Sequence, residues 1–196
     1  MPVEPWLEPF VPKSGRVFLD VGANEGDYTR AFADRFREVV AFEPNPHLSE
    51  KLCDLPNNSL YMPIGVSDKR DKLTFRVYEC SVHSRMLDEN EAPTYNTGPT
   101  KEERTVIVDT LDFIVGPSAI DFIKIDVEGY EVRVVRGALN TIRACKPKLL
   151  IEIHLQDNEQ EIRELLPDYR FQVVHHPEHE IEGEYYWKHY WLVGTS

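Results

Sequence analysis

Arg16-Val-Phe-Leu-Asp-Val-Gly-Ala-Asn-Glu-Gly-Asp-Tyr-Thr29 is the stretch on which the reading of this chain turns. Val17 to Val21 is a short apolar strand, followed by a tight glycine turn. A helix opens near Gly26 and carries Tyr28, Ala31, Phe32 and Phe36 at helical spacing. A strand that feeds a helix through glycines brings bare backbone and free helix N–H groups to the carboxyl end of a sheet. That makes the turn a ligand-binding one.

The segments on either side extend the same pattern. Glu38 to Glu43 is a second short strand, followed by Pro44-Asn-Pro46 and a helix through Leu48, Leu52 and Leu55. Together with the opening stretch this makes a strand–helix–strand unit. A third strand runs from Ser59 to Val66 and leads into Gly65-Val-Ser-Asp68. Lys72 to Glu79 and Arg104 to Asp109 then alternate with period two around a polar stretch holding Pro93, Asn96, Gly98 and Pro99, which predicts two antiparallel strands around a long loop. The strand–helix alternation resumes with a short helix 111–115, a strand 120–125, a helix 131–143, a strand 148–154 and a helix 156–166. Two last strands, 171–175 and 185–193, have no helix between them. The expected fold class is α/β: a Rossmann-like, doubly wound, mostly parallel sheet ending in an antiparallel hairpin. We expect one domain over residues 1–196 with an insertion at about 70–109, and an extended, proline-rich lead-in over residues 1–14 that leaves almost no room for an N-terminal domain.

Composition narrows the function classes. The 196 residues carry a formal net charge of -12, which argues against nucleic acid as a partner. Cys53, Cys80 and Cys145 are odd in number and form no C-x-x-C pair, so neither a disulfide framework nor a zinc knuckle is expected. The amino terminus does not read as a secretory signal, and no apolar run approaches the roughly 18 residues that a membrane span needs. The expectation is a soluble, cytoplasmic protein with no membrane partner.

The turn itself selects among ligands. No G-K-[ST] follows the glycines, which excludes a P-loop. A dinucleotide fingerprint would read G-x-G-x-x-G, but Gly22-Ala-Asn-Glu-Gly26 has Asn24 where the second glycine admits a pyrophosphate. Glu25 and Asp27 would repel that pyrophosphate and suit a cationic ligand. S-adenosylmethionine meets these conditions: its sulfonium is positive, its ammonium can reach Asp20 or a nearby carbonyl, and its ribose diol can bond to Glu43 at the end of the second strand.

A second unusual stretch is Ile120-Asp-Phe-Ile-Lys-Ile-Asp-Val-Glu-Gly-Tyr-Glu131. Strand alternation puts Phe122, Lys124 and Asp126 on one face, and Leu150, Glu152 and His154 on one face of the later strand. If the strands are neighbours, Lys124 is expected to pair with Glu152, because a lone buried charge is costly. Asp126, Glu128 and His154 then stand where open parallel sheets bind ligands, as candidates to hold an acceptor hydroxyl, with His154 as general base. Asp126 orients either the acceptor or the methionine end of the cofactor. The plainer alternatives are a strand-end histidine satisfied by backbone, and an acidic cluster favouring the dipole of the following helix.

Phe18 to Thr29, Val40-Ala-Phe-Glu-Pro-Asn-Pro46, Ile120 to Glu131, Val135-Arg-Gly-Ala138 and Lys146-Pro-Lys-Leu-Leu-Ile-Glu-Ile-His154 together resemble the FkbM-type S-adenosylmethionine-dependent methyltransferases. The resemblance runs in order over roughly residues 15 to 155. It implies a seven-stranded sheet and cofactor contacts from Asp20, Gly22, Asn24, Gly26, Tyr28, Thr29, Glu43 and Pro44, with Ser67 and Asp68 at the adenine. It also implies O-methylation of a hydroxyl on a sugar, glycan or polyketide-like acceptor. Ser84 matches a serine common in the middle segment, without an assigned role. Relatives commonly carry extra N-terminal helices over the site, so acceptor recognition is expected from the loop 80–103 and the segment 175–190. That segment holds His175, His176, His179 and His189, but in no recognised ligand spacing, and no metal is expected. The rival functions are a NAD-dependent sugar-modifying oxidoreductase and a non-catalytic cofactor-binding or interaction module.

Overall fold

A strand as apolar as Ile120–Ile125 has to be covered on both faces, and the order of strands shows how this is done. The computed structural model describes residues 3–78, 84–87, 99–116, 119–175, 180–181, 184–185 and 189–196. The elements in chain order are β1 (Gly15–Val21), α1 (Asp27–Phe32), β2 (Phe36–Phe42), α2 (Ser49–Leu52), β3 (Ser59–Met62), β4 (Gly65–Val66), β5 (Asp71–Tyr78), β6 (Arg85–Met86) and β7 (Thr100–Asp109). They continue with α3 (Leu111–Ile114), β8 (Ile120–Ile125), α4 (Glu131–Arg136), α5 (Leu139–Cys145), β9 (Lys148–Ile153), α6 (Gln156–Leu165), β10 (Arg170–Val174), β11 (Glu180–Ile181), β12 (Glu184–Tyr185) and β13 (Tyr190–Thr195).

Seven strands form the main sheet in the order β10-β13-β9-β8-β1-β2-β3. Pairing is parallel from β9 through β3, while β13 runs antiparallel between β9 and β10. This is the doubly wound α/β sheet with an antiparallel C-terminal pair that the sequence predicts. Strand alternation divides the core. Leu19, Ile123 and Ile151 face one cluster with Val135 and Ile142 of α4 and α5, while Phe18, Phe122 and Leu150 face the other with Phe32 of α1. The second face is also covered by residues 5–10, which form a 3-10 helix rather than the expected extended lead-in. Leu7 is fully buried there, a burial worth about 2 kcal/mol, which explains why the segment folds back.

Several predicted elements come out differently. The strand expected over 59–66 divides at Pro63, which has no N–H for a ladder; Ser59–Met62 stays with β2 and Gly65–Val66 turns away to pair with β7. β4, β5, β6 and β7 then form a separate four-stranded sheet over the carboxyl edge of the main one. The helix expected over 131–143 is interrupted at Gly137, where a Cβ would stand 1.9 Å from the Ser67 carbonyl oxygen. Phe36 already belongs to β2, and the last long strand is Tyr190–Thr195 rather than 185–193. Cys80, most of the loop 80–103, and His176, His179, Tyr186 and Trp187 lie outside the described residues.

Candidate active site

The turn after β1 is built by three constraints. Gly22 has a φ of 77°, and a Cβ there would lie 1.8 Å from the Asp126 carbonyl oxygen, so the loops after β1 and β8 cross in contact. The N–H groups of Gly22 and Ala23 both donate to the Phe42 carbonyl at 3.0 Å, which ties the turn to the end of β2. Thr29 donates to Asp20 Oδ2 at 2.7 Å from one turn inside α1. Asp20, Gly26 and Thr29 therefore brace the turn from behind and do not line the cavity in front of it.

That cavity has a volume of about 440 Å³ and is walled by Gly22, Asn24 and Tyr28 of the turn and helix, and by Glu43 and Pro44 after β2. Phe75 and Met86 of the small sheet close another side. Glu43 is 6% exposed; its Oε2 accepts the Asn24 N–H at 3.0 Å and its Oε1 the Asn45 N–H at 2.8 Å. A carboxylate oxygen accepts two hydrogen bonds, so one place on each remains for a diol. Burial pushes the Glu43 carboxyl up to about 7, against the pull of those two N–H groups and of Lys124. Asn24, at a φ of 47°, keeps a buried Oδ1 with no hydrogen-bond partner among the described residues. An orphaned acceptor beside a half-occupied carboxylate fits a ligand with hydroxyl or ammonium donors, and S-adenosylmethionine has both. Ser67 and Asp68 are not on this wall: Ser67 Oγ lies 3.3 Å from Tyr130 Oη, and Asp68 pairs with Arg133 at 3.2 Å.

The opposite end of the cavity gathers charge. Lys124 pairs with Asp126 at 3.2 Å and Asp20 at 3.4 Å, and donates to the Gly22 carbonyl at 2.7 Å. The expected Lys124–Glu152 pair is not formed. β8 has β1 as well as β9 for a neighbour, and Asp20 stands directly opposite Lys124 in that register, whereas the residue opposite on β9 is Leu150. Burial lowers the affinity of Lys124 for its proton, but Asp126 and Asp20 overcome this and raise it above the usual lysine value.

Asp126, Glu128 and His154 are brought together as the sequence suggests. His154 Nδ1 lies 2.8 Å from Glu131 Oε1, and Nε2 is 3.5 Å from Glu128, 3.8 Å from Asp126 and 3.9 Å from Glu152. Burial alone would strip the imidazole of its proton, yet Glu131 and Glu128 hold its pKa well above the ordinary histidine value. The imidazole that the sequence offers as a general base is thus flanked by carboxylates on both ring nitrogens. Glu152 is raised well above the usual carboxylate range by burial and by Asp126, while Asp126, opposed by burial, is held low by Lys124 and His154. Glu128 sits at a φ of 54°, a left-handed conformation that costs a non-glycine residue about 1–3 kcal/mol and gathers at functional sites.

Sequence reasoning missed Glu4, Trp6, Arg85 and Trp191, which also line the cavity, and it gave Glu131 no role. Tyr28 Oη donates to Glu4 Oε2 at 2.6 Å, which fastens the N-terminal segment across the mouth. The signal for that segment lay in Trp6, Leu7, Phe10 and Val11, which pack into the core on that face of the sheet. Ser84, whose role the sequence leaves open, accepts the Tyr78 N–H at 3.1 Å and also lines the cavity.

The methyltransferase FkbM domain model matches residues 20–173, which takes in every element from the end of β1 to β10. The chain belongs to the FkbM methyltransferase domain family. The hexuronic acid methyltransferase AglP of Haloferax volcanii is 26% identical over 152 residues, covering 78% of this chain and 62% of AglP. The crystal structure of methyltransferase FkbM from Methylobacillus flagellatus superposes with a TM-score of 0.65 at 19% identity, over 98% of this chain and 48% of that one. TrmK of M. capricolum, solved with S-adenosyl-homocysteine, superposes with a TM-score of 0.50 at 9% identity, over 100% of this chain and 69% of that one. These structural likenesses speak for the fold, a class I methyltransferase sheet. The FkbM-domain chain thus spans less than two thirds of AglP and about half of the Methylobacillus protein. Among its described residues no helix is long and apolar enough to cross a membrane.

Proposed function

We propose that this FkbM-domain chain moves a methyl group from S-adenosylmethionine to a hydroxyl oxygen of a sugar-type acceptor. The observation that carries the reading is the buried Glu43 carboxylate, which keeps one acceptor position on each oxygen and opens into the same cavity as Asp126, Glu128 and His154. Glu43 binds the ribose diol, and Asn24 Oδ1 receives a further donor from the cofactor. When bound, S-adenosylmethionine supplies a methyl carbon activated by its sulfonium. Asp126 and Glu128 orient the acceptor hydroxyl and take its proton as oxygen–carbon bond formation and carbon–sulfur cleavage proceed together, leaving a neutral thioether. Positioning supplies most of the rate in such a displacement. His154, fixed by Glu131, holds the two carboxylates in place. A hexuronic acid is the acceptor named for the relative AglP, which favours a sugar over a polyketide.

The test is to incubate the protein with methyl-labelled S-adenosylmethionine and a panel of hexuronic acids, neutral sugars, glycans and polyketides. Label should pass to a sugar hydroxyl, and His154→Ala should lower turnover at least tenfold while cofactor affinity, read by calorimetry, changes less than threefold. Binding of NAD in preference to S-adenosylmethionine, or transfer to no sugar, would overturn the reading.

A further inference from the structure

The inner end of the cavity gathers two sets of donors that share one imidazole: Asp126, Glu128 and His154, and Glu152, His154 and His189. In each set the candidate donor atoms lie within 4.8 Å of one another. They come from four places in the chain: the loop after β8, the end of β9, the residue following it, and the residue before β13. No sequence spacing announces such a set, which is why the linear pattern gave no metal site.

The spacing of these donors suits a shared cation. The His154 side chain is 1% exposed, and its Nε2 faces carboxylate oxygens of Glu128, Asp126 and Glu152 at 3.5, 3.8 and 3.9 Å. Donors that sit about 2.0–2.5 Å from a common ion stand roughly 3–4 Å from one another. A second observation is independent of these distances. Glu131, fully buried and outside both sets, bonds His154 Nδ1 at 2.8 Å and is itself held by Gly129 N–H at 2.7 Å and Asn158 Nδ2 at 2.6 Å. A carboxylate that fixes one ring nitrogen turns the other toward the cavity, which is the outer-shell arrangement behind metal-binding histidines.

We propose that this end of the cavity binds one divalent first-row cation, such as Mn2+ or Zn2+, through His154 Nε2, Asp126 and Glu128, with Glu152 and His189 beside it. Mixed imidazole and carboxylate donors suit these ions, whereas Mg2+ favours oxygen alone. The proposal rests on reading this end as the acceptor's: the cation seats the acceptor hydroxyl and lowers its pKa, so that its proton passes more readily to a carboxylate of the same set as the oxygen attacks.

After dialysis against a chelator, MnCl2 and ZnCl2 are titrated separately into the protein by calorimetry, with Mn2+ uptake also followed by electron paramagnetic resonance. One saturable site is expected, weakened at least tenfold in Asp126→Asn and in Glu128→Gln. S-adenosylmethionine is titrated into the same samples, and melting curves check that the variants fold. Wild-type protein that binds S-adenosylmethionine but takes up neither ion overturns the cation site, as does uptake unchanged in both variants. Cation uptake with the expected losses, in protein that does not bind S-adenosylmethionine, sustains the site and overturns the methyltransferase reading instead.

Discussion

Glu43 shows how one buried carboxylate can couple the proposed cofactor to pH. Its ordinary pKa of 4.5 is pushed to about 7 by burial. In the free protein this raised value means that folding binds a proton more tightly than the unfolded chain does, so the contribution to stability falls as pH rises from 4.5 to 7 and is level above. Ligand binding runs the other way, because two hydroxyl donors favour the ionised form. Cofactor affinity measured by calorimetry should therefore weaken as pH falls through about 7, and Glu43→Gln should remove that slope while costing about 1–3 kcal/mol of affinity at pH 8. A pH dependence identical in the two proteins would remove Glu43 from the ribose site.

At the scale of elements, the site depends on two loops that touch. The backbone after β1 passes the backbone after β8 at Gly22, where even a methyl group would meet the Asp126 carbonyl. Gly22→Ala should push these loops apart, lowering cofactor affinity at least tenfold and destabilising the fold by about 1–3 kcal/mol, read by calorimetry and denaturant melts. The turn, the acidic end of β2 and the Asp126–Glu128–His154 set were legible in the sequence because each lies within a short run of strong periodicity. Lys124 shows where that legibility stops. Alternation gave its face correctly, but its partners depend on strand order, and β1 supplied Asp20 from more than a hundred positions away. Glu131 was hidden for a related reason. An acidic residue in the first turn of a helix reads as favouring the dipole, and only the packing of α4 against the end of β9 discloses its bond to His154. The N-terminal 3-10 helix escaped because its prolines outweighed, in a linear reading, the apolar residues Trp6, Leu7 and Phe10 that anchor it.

On the scale of the whole molecule, a net charge of -12 surrounds a cavity that is itself rich in carboxylates. Polyanions gain affinity by releasing counterions into solvent as Lys and Arg neutralise their phosphates, and a surface with this balance repels them. No gel shift is expected with micromolar structured RNA at low ionic strength. A shift that weakens steeply with salt would contradict the small-acceptor reading. The same field draws cations toward the cavity mouth, which favours entry of a positively charged cofactor.

Strand order also sets a timetable. β13 lies between β9 and β10, and it brings Trp191 into the cavity wall while His189, just before it, stacks edge-on against His154 at 4.5 Å between ring centroids. Until that strand slides in, β9 presents an open edge and the acidic end lacks a wall. As the chain emerges during synthesis, the turn and the Glu43 corner can form early, from neighbours close in sequence, but the chamber waits for β13, far later in the chain. The half that would grip the cofactor is thus ready long before the half that would use it, and no chain that stops short of β13 presents both.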